Sequence, residues 1–143
     1  MAFTFFFRDL QILDLIMEHA VPQLMGRSNV KVWDAGCAMG QEVYSLAILC
    51  AEHMGHFAYK NLKIFATDIE ESNDFGDIVR SGIYPIEDLQ RVPPLFFEKY
   101  FAPLEGGKER RQVIDAVRGR ITYQRHRTNY LSRSAHAPVI PFR

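Results

Sequence analysis

The 143-residue sequence predicts an α/β fold in which helices flank a parallel sheet, with a small antiparallel β insertion. Two apolar segments of strand length are each followed by a turn, and a helical pattern separates them. Parallel strands need such a crossover, which is almost always right-handed. Hydrophobic residues make up 48% of the chain and charged residues 24%, which is typical of a domain with a packed core rather than of a disordered segment.

The first half of the chain alternates helical and strand patterns. Its first segment repeats apolar residues at three- and four-residue steps, as on one face of an amphipathic helix. Its last helix carries acidic residues in the first turn, where the helix dipole favours them. The predicted elements are a helix over 10–24, strand one over 29–33, a helix over 41–53, strand two over 62–67 and a helix over 70–80.

Prolines interrupt the second half, which we predict to be irregular around one short apolar helix over 95–101. Segments 111–115 and 120–124 have strand character and flank a turn over 116–119, which predicts an antiparallel hairpin. Alternatively, the second of these strands continues into the parallel sheet. We expect one domain over 1–143 that includes a small β-subdomain at about 84–120.

Charge is balanced overall, with 17 basic and 17 acidic residues, but it is unevenly distributed. From Leu104 onward nine residues are basic and three are acidic. This basic tail either contacts an acidic partner, such as a protein, a nucleic acid or a membrane surface, or forms a solvated face. We consider nucleic-acid binding the weakest of the functional alternatives.

The cysteines and the N-terminal segment indicate the compartment. Cys37 and Cys50 lack the spacing of a disulfide framework, which predicts free thiols under reducing conditions. The N-terminal segment is apolar but lacks a basic leader and reaches charge at Arg8, so it fits neither a signal peptide nor a membrane span. We therefore expect a cytoplasmic protein without membrane insertion. No metal site is expected, because His53 and His56 lack a third ligand nearby.

The turn after strand one is the candidate ligand site. Gly36 and Gly40 leave room for a ligand to approach the backbone, at the strand end where doubly wound sheets bind ligands. Asp68, at the end of strand two, can accept two hydrogen bonds from a ribose diol. An NAD or FAD pyrophosphate would prefer a denser glycine turn and would be repelled by Glu42. The charge pattern instead favours S-adenosylmethionine, whose amino-acid end carries an ammonium group.

Four motifs that occur in order sharpen this prediction. They are Thr-Phe-Phe-Phe-Arg at 4–8, Val-Trp-Asp-Ala-Gly-Cys-Ala-Met-Gly-Gln-Glu-Val-Tyr-Ser-Leu-Ala at 32–47, Phe-Ala-Thr-Asp-Ile at 65–69 and Ser-Gly-Ile-Tyr-Pro at 81–85. Their succession resembles the chemotaxis receptor glutamate methyltransferase family. The resemblance implies a partial Rossmann-like methyltransferase fold, with S-adenosylmethionine as cofactor, S-adenosylhomocysteine as product and a chemoreceptor-like protein as substrate. It also implies that the antiparallel insertion falls where some members of the family dock a receptor tail.

The resemblance also implies roles for individual residues. Arg8 is the expected catalytic residue, because its guanidinium would orient the acceptor carboxylate. A glutamate side chain is already ionised at neutral pH, so methyl transfer to it needs no general base. The cofactor-binding residues implied by the family are Thr4 and Arg8 over the sulfonium, Gly36 and Gly40 in the pocket floor, Glu42 at the polar end, Asp68 at the ribose with Ile69 next to it in the chain, and Asn129 and Tyr130 beside the adenine.

The sequence departs from the family at several points. Gln41, Val43 and Tyr130 replace the family's residues without removing the proposed hydrogen bonds. The family's N-terminal helical domain is missing, and the chain stops at an approach to strand four, so we expect a truncated domain. Strand one would then be an open hydrophobic edge, which predicts a homodimer that covers it. The alternatives to an active enzyme are a catalytically impaired, dimeric cofactor-binding module and a fragment without a separate role.

Overall fold

A computed structural model of the chain describes residues 4–69 and 74–126, together with the backbone of residues 141–142. Helices and strands alternate along the first half of this part, as the sequence predicts. The helices are α1 Leu10–His19, α2 Val21–Leu24, α3 Gln41–His53, α4 Gly55–Lys60, α5 Asp74–Ser81, α6 Pro94–Tyr100 and α7 Asp115–Arg118, with a 3-10 helix at Ile86–Leu89. The strands are β1 Val30–Ala35, β2 Leu62–Asp68, β3 Ile83–Pro85, β4 Phe101–Leu104, β5 Gly107–Val113, β6 Ile121–Arg125 and β7 Pro141–Phe142.

Four strands form a parallel sheet in the order β6-β2-β1-β7, which confirms the predicted α/β class. β1 and β2 pair in register from Val30 opposite Leu62 to Ala35 opposite Thr67. Their alternate side chains are buried, so one face of the strand pair packs against the core and the other face is more exposed. Since parallel strands end at the same edge, this register brings the turn after β1 next to the end of β2.

The remaining strands form the small antiparallel sheet, in the order β3-β5-β4. The predicted hairpin between segments 111–115 and 120–124 is wrong, because the strands on either side of that turn belong to different sheets. β5 pairs with β3 and β4, whereas β6 pairs in parallel with β2 from Ile121 to Arg125. The alternative, that the second segment continues into the parallel sheet, is correct. The physical reason is the connection between β5 and β6, which contains the helix α7 and is too long for a tight hairpin.

Two helix boundaries also differ from the predictions. The first predicted helix is divided at Ala20 into α1 and α2, and Pro22, which has no N–H group, lies in the first turn of α2 where that loss costs no helical hydrogen bond. The segment after α3 forms the additional helix α4, which the sequence pattern did not predict. Residues 70–73 of the predicted acidic helix lie outside the described residues, and α5 covers the rest.

The predicted open edge of strand one is wrong in part. Trp33 and Asp34 of β1 pair in parallel with Pro141 and Phe142 of β7. β7 lies beside β1, where the sequence analysis expected no neighbour. The argument for a dimer from an uncovered strand is weaker as a result.

Aromatic packing connects the N-terminal segment to the antiparallel sheet. Phe6 is fully buried, and its ring makes edge-on contacts with Tyr84 at 4.9 Å and with Phe101 at 5.5 Å between centroids. The Tyr84 hydroxyl donates a hydrogen bond of 2.6 Å to the carbonyl oxygen of Met39, in the turn after β1. Tyr84 therefore connects the antiparallel sheet to the segment before α1 and to the candidate ligand turn.

We expect Gly40→Ala to destabilise the protein by about 1–3 kcal/mol more than Gly26→Ala. Both glycines have positive φ, at 91° and 79°, so both substitutions strain the backbone. Only at Gly40 would the new Cβ also lie 2.8 Å from the Tyr84 hydroxyl, whereas nothing lies within 4 Å at Gly26. Urea unfolding of the two variants measures the difference, and equal losses would contradict this packing role of Gly40.

Candidate cofactor site

The turn after β1 is held in place by the end of β2. The backbone N–H groups of Gly36 and Cys37 donate to the carbonyl oxygen of Thr67, at 2.7 and 3.0 Å. The next N–H, of Ala38, donates to the Asp68 carboxylate at 2.9 Å. Ala38 adopts a φ of 47°, a left-handed conformation that is uncommon for a residue with a Cβ. The hydrogen bond to Asp68 stabilises this conformation. Asp68 therefore shapes the turn that lies beside its own expected ligand site.

The two glycines of the turn differ in what surrounds them. Among the described residues, a Cβ at Gly36 would meet nothing within 4 Å, so they leave open space beside this backbone. A Cβ at Gly40 would meet Tyr84 and Val79, at 2.8 and 3.0 Å. The packing of these two side chains is therefore enough to require a glycine at position 40, whether or not a ligand binds there. That both glycines form a pocket floor stays a prediction.

Acidic side chains surround the turn. Asp34 of β1 is only 3% exposed, and its Oδ2 atom has no hydrogen-bond partner among the residues that the structure describes. Its pKa is raised to about 7, mainly by burial and further by the charges of Glu42 and Asp68. The pKa of Glu42 is raised by burial and by Asp9, although Arg8 opposes the change. Three carboxyl groups thus lie close enough to influence one another, and they favour a cationic ligand group.

A cleft between α1 and α3 brings Arg8 to these carboxyl groups. Asp34, Glu42, Arg8 and Asp9 all line it, beside apolar side chains of α1. The Arg8 and Asp9 side chains are about half exposed, and the guanidinium Nε lies 3.6 Å from the Asp9 carboxylate. The predicted catalytic residue and the predicted ligand for the cofactor's polar end, Glu42, are therefore on one cleft.

The backbone before Arg8 is fixed by contacts that the sequence patterns did not reveal. Phe7 has a φ of 57°, and its buried N–H donates to the Ser45 hydroxyl at 2.8 Å. That hydroxyl donates to the carbonyl oxygen of Gln41 at 2.6 Å. Ser45 thus holds the Thr-Phe-Phe-Phe-Arg segment against the first turns of α3, and its position in the helix motif was the only sequence signal for it.

The other predicted site residues have few described contacts at the turn and the cleft. Thr4 is partly buried at the start of the described chain, and Ile69 is 67% exposed just after β2. Asn129 and Tyr130 lie outside the described residues. Cys37 is buried and its pKa is raised to about 12, mainly by burial, so it remains a thiol and packs as a small apolar group.

The described ranges add two findings on metals and membranes. Within them, no group of three or more His, Cys, Asp and Glu residues is arranged to hold a metal ion. No helix there is long and apolar enough to cross a membrane.

The site fits S-adenosylmethionine in its donor and acceptor groups. Asp68 presents a carboxylate beside the open space over Gly36, as a ribose diol requires. Asp34 has a buried acceptor oxygen without a partner on the cleft that Glu42 and Arg8 line, so the cleft can accept an ammonium group and a carboxylate.

Comparison with known proteins agrees with this chemistry. A protein of Rhizobium etli named "Probable chemotaxis protein methyltransferase" is 34% identical over 126 residues, which cover 85% of this chain and 46% of that protein. The chemotaxis protein methyltransferase of Borreliella burgdorferi is 32% identical over 114 residues, covering 73% and 39%. Chemotaxis protein methyltransferase 2 of Pseudomonas aeruginosa is 32% identical over 124 residues, covering 85% and 42%.

The chain thus spans less than half the length of these relatives. Residues 2–139 match the family described as CheR methyltransferase, SAM binding domain. The cofactor of this family is S-adenosylmethionine, which the sequence analysis predicted. The chain belongs to the CheR methyltransferase family, as its S-adenosylmethionine-binding domain.

Proposed function

We propose that the chain binds S-adenosylmethionine at the turn after β1 and transfers its methyl group to glutamate side chains of a chemoreceptor-like protein. The observation that carries this proposal is the cleft on which Arg8 meets Glu42 and the buried Asp34. The names of the relatives support chemoreceptors as the substrate class. In this arrangement Asp68 binds the ribose and Glu42 the amino-acid end, with Thr4 and Arg8 nearest the sulfonium.

Arg8, at the mouth of the cleft, suits a carboxylate as methyl acceptor. The cofactor supplies an electrophilic methyl group on a positively charged sulfur. A glutamate carboxylate is ionised at neutral pH, so one of its oxygens forms the new bond to the methyl carbon while the bond to sulfur breaks, and no proton is moved. Arg8 orients the acceptor, because a guanidinium pairs with both carboxylate oxygens in a fixed plane.

The alternative is a cofactor-binding module without transfer activity. The same residues at the turn would serve it, since Asp68 and Glu42 contact the cofactor in either case. Binding and transfer must therefore be measured separately.

The homodimer, which the sequence predicts for an active enzyme and for a binding module alike, stays a prediction. Among the described residues, β7 pairs with β1 at Trp33 and Asp34, and Ile12 and Leu15 are exposed apolar side chains on one side of α1. Light scattering at micromolar concentration is expected to give twice the 16.5 kDa chain mass. A mass of one chain would remove the dimer.

Asp68→Asn is expected to weaken binding of S-adenosylhomocysteine by about 10- to 100-fold, because a hydrogen bond to a charged group contributes about 1.5–3 kcal/mol. The asparagine carbonyl can still accept the Ala38 N–H, so the turn is retained. Isothermal titration calorimetry measures the loss. Asp14→Asn, which changes an exposed carboxylate on α1, is the matched control. Equal affinities of the two variants would contradict the ribose assignment.

Arg8→Lys is expected to lower kcat/KM for the acceptor by about 10- to 100-fold, because a lysine ammonium cannot make the paired contact with a carboxylate. Transfer of a radiolabelled methyl group to a receptor fragment measures the rate. Arg27→Lys, at an exposed position, is the control. If both variants transfer at the wild-type rate, Arg8 does not orient the acceptor. If the wild-type chain binds cofactor but transfers nothing, the module alternative is favoured.

A further inference from the structure

Asp34 is a buried carboxyl group, and one of its two oxygens has no hydrogen-bond partner among the described residues. It lies at the fifth of six positions in β1, on the same face of the sheet as the buried Val30 and Val32, and is 3% exposed. Its Oδ2 atom has no hydrogen bond, yet the side chain lines the cleft that Arg8 and Glu42 share. A buried carboxylate without a partner is costly, so the group either holds a proton or has a partner that is bound there.

The groups around Asp34 determine which partner suits it. Glu42 faces it from the start of α3 and Asp68 from the end of β2, and the Cys37 thiol lies in the turn between them. At the mouth of the cleft, Arg8 and Asp9 pair with each other. The inner part of the cleft is therefore acidic. A positively charged hydrogen-bond donor would complete it, whereas an anion would meet three carboxyl groups.

We infer that Asp34 binds the ammonium group at the amino-acid end of S-adenosylmethionine and S-adenosylhomocysteine, and that it releases a proton when this end occupies the cleft. This inference rests on the proposed placement of the cofactor at the turn after β1. In the free protein the Asp34 carboxyl keeps its proton for part of the time. In the complex the proton is lost to solvent, and the carboxylate and the ammonium form an ion pair with Glu42 nearby.

The pH dependence of binding follows from this exchange. The pKa of Asp34 in the free chain is about 7 because of its burial and of the charges on Glu42 and Asp68. The Asp34 carboxyl carries a proton in most molecules at pH 6 and in about half of them at pH 7, and ligand binding must displace it. The affinity for the ligand should therefore be about five-fold weaker at pH 6 than at pH 7. The α-ammonium group of the ligand stays protonated over this range, because even a chain-terminal α-amino group has a pKa of about 7.7–8.0 and the adjacent carboxylate of a free amino acid raises the pKa further.

S-adenosylhomocysteine is the probe for the experiment, because its sulfur is neutral and the ammonium is its only cation. Calorimetry at pH 6 and pH 7, in buffers of different ionisation enthalpy, gives the affinity and the number of protons released. The wild-type chain should bind about five-fold more tightly at pH 7 and release about half a proton there. Asp34→Asn should bind more weakly at pH 7, show less than about a two-fold change with pH and release no proton.

Two controls separate a ligand contact from a structural effect. The nucleoside 5′-methylthioadenosine lacks the amino-acid end, so wild type and Asp34→Asn should bind it equally. If the variant loses affinity for both ligands to the same extent, Asp34 supports the fold rather than the ammonium, and the inference is wrong. Asp14→Asn should behave as wild type throughout. If Asp34→Asn does not fold, Asp34→Ser provides a second variant. The proton release of the wild-type chain tests the inference without any variant.

The outcomes also separate this inference from the proposed function. Wild-type binding of S-adenosylhomocysteine without proton release and without a change between pH 6 and pH 7 would overturn the role of Asp34 and leave the cofactor site standing. No binding of either ligand by the folded wild-type chain would overturn both.

Discussion

The connection between the turn after β1 and the end of β2 is the constraint on which the candidate site depends. The parallel register of β1 and β2 places Asp34 and Asp68 at the same edge of the sheet. The Gly36 and Cys37 N–H groups then bond to Thr67, and Ala38 bonds to the Asp68 carboxylate. A shift of β2 by one residue in this register would move its buried side chains to the opposite face of the sheet and displace Asp68 from the turn.

Burial and charge at this edge determine the class of ligand. Glu42 and Asp68 both raise the pKa of the buried Asp34, and the guanidinium of Arg8 lies at the mouth of the same cleft. The acidic interior favours a cofactor that carries an ammonium group and disfavours a diphosphate. Low solvent access strengthens these interactions, so the same burial that destabilises an ionised Asp34 favours a cationic partner.

Local patterns in the sequence predicted the elements that carry the site but not the contacts that fix it. Periodicity was sufficient for α3 and β2, and motif order identified the family. The pairing of β6 with β2 was not the first prediction, because local strand character does not identify a strand's neighbours. The helical turn of α7 separates β6 from β5. Tyr84 lies 45 residues from Met39, whose carbonyl it binds, so no local pattern could reveal the contact. Asp34 follows directly on a recognised strand, but its burial results from the packing of α1 and α3.

The structure of the chain with S-adenosylhomocysteine bound would test the central claim most directly, because it locates both ends of the ligand at once. We expect the ribose hydroxyls within hydrogen-bonding distance of the Asp68 carboxylate, over Gly36. The amino-acid end should lie in the cleft beside Glu42. A ligand bound elsewhere on the chain, or with its ribose away from Asp68, would contradict the account.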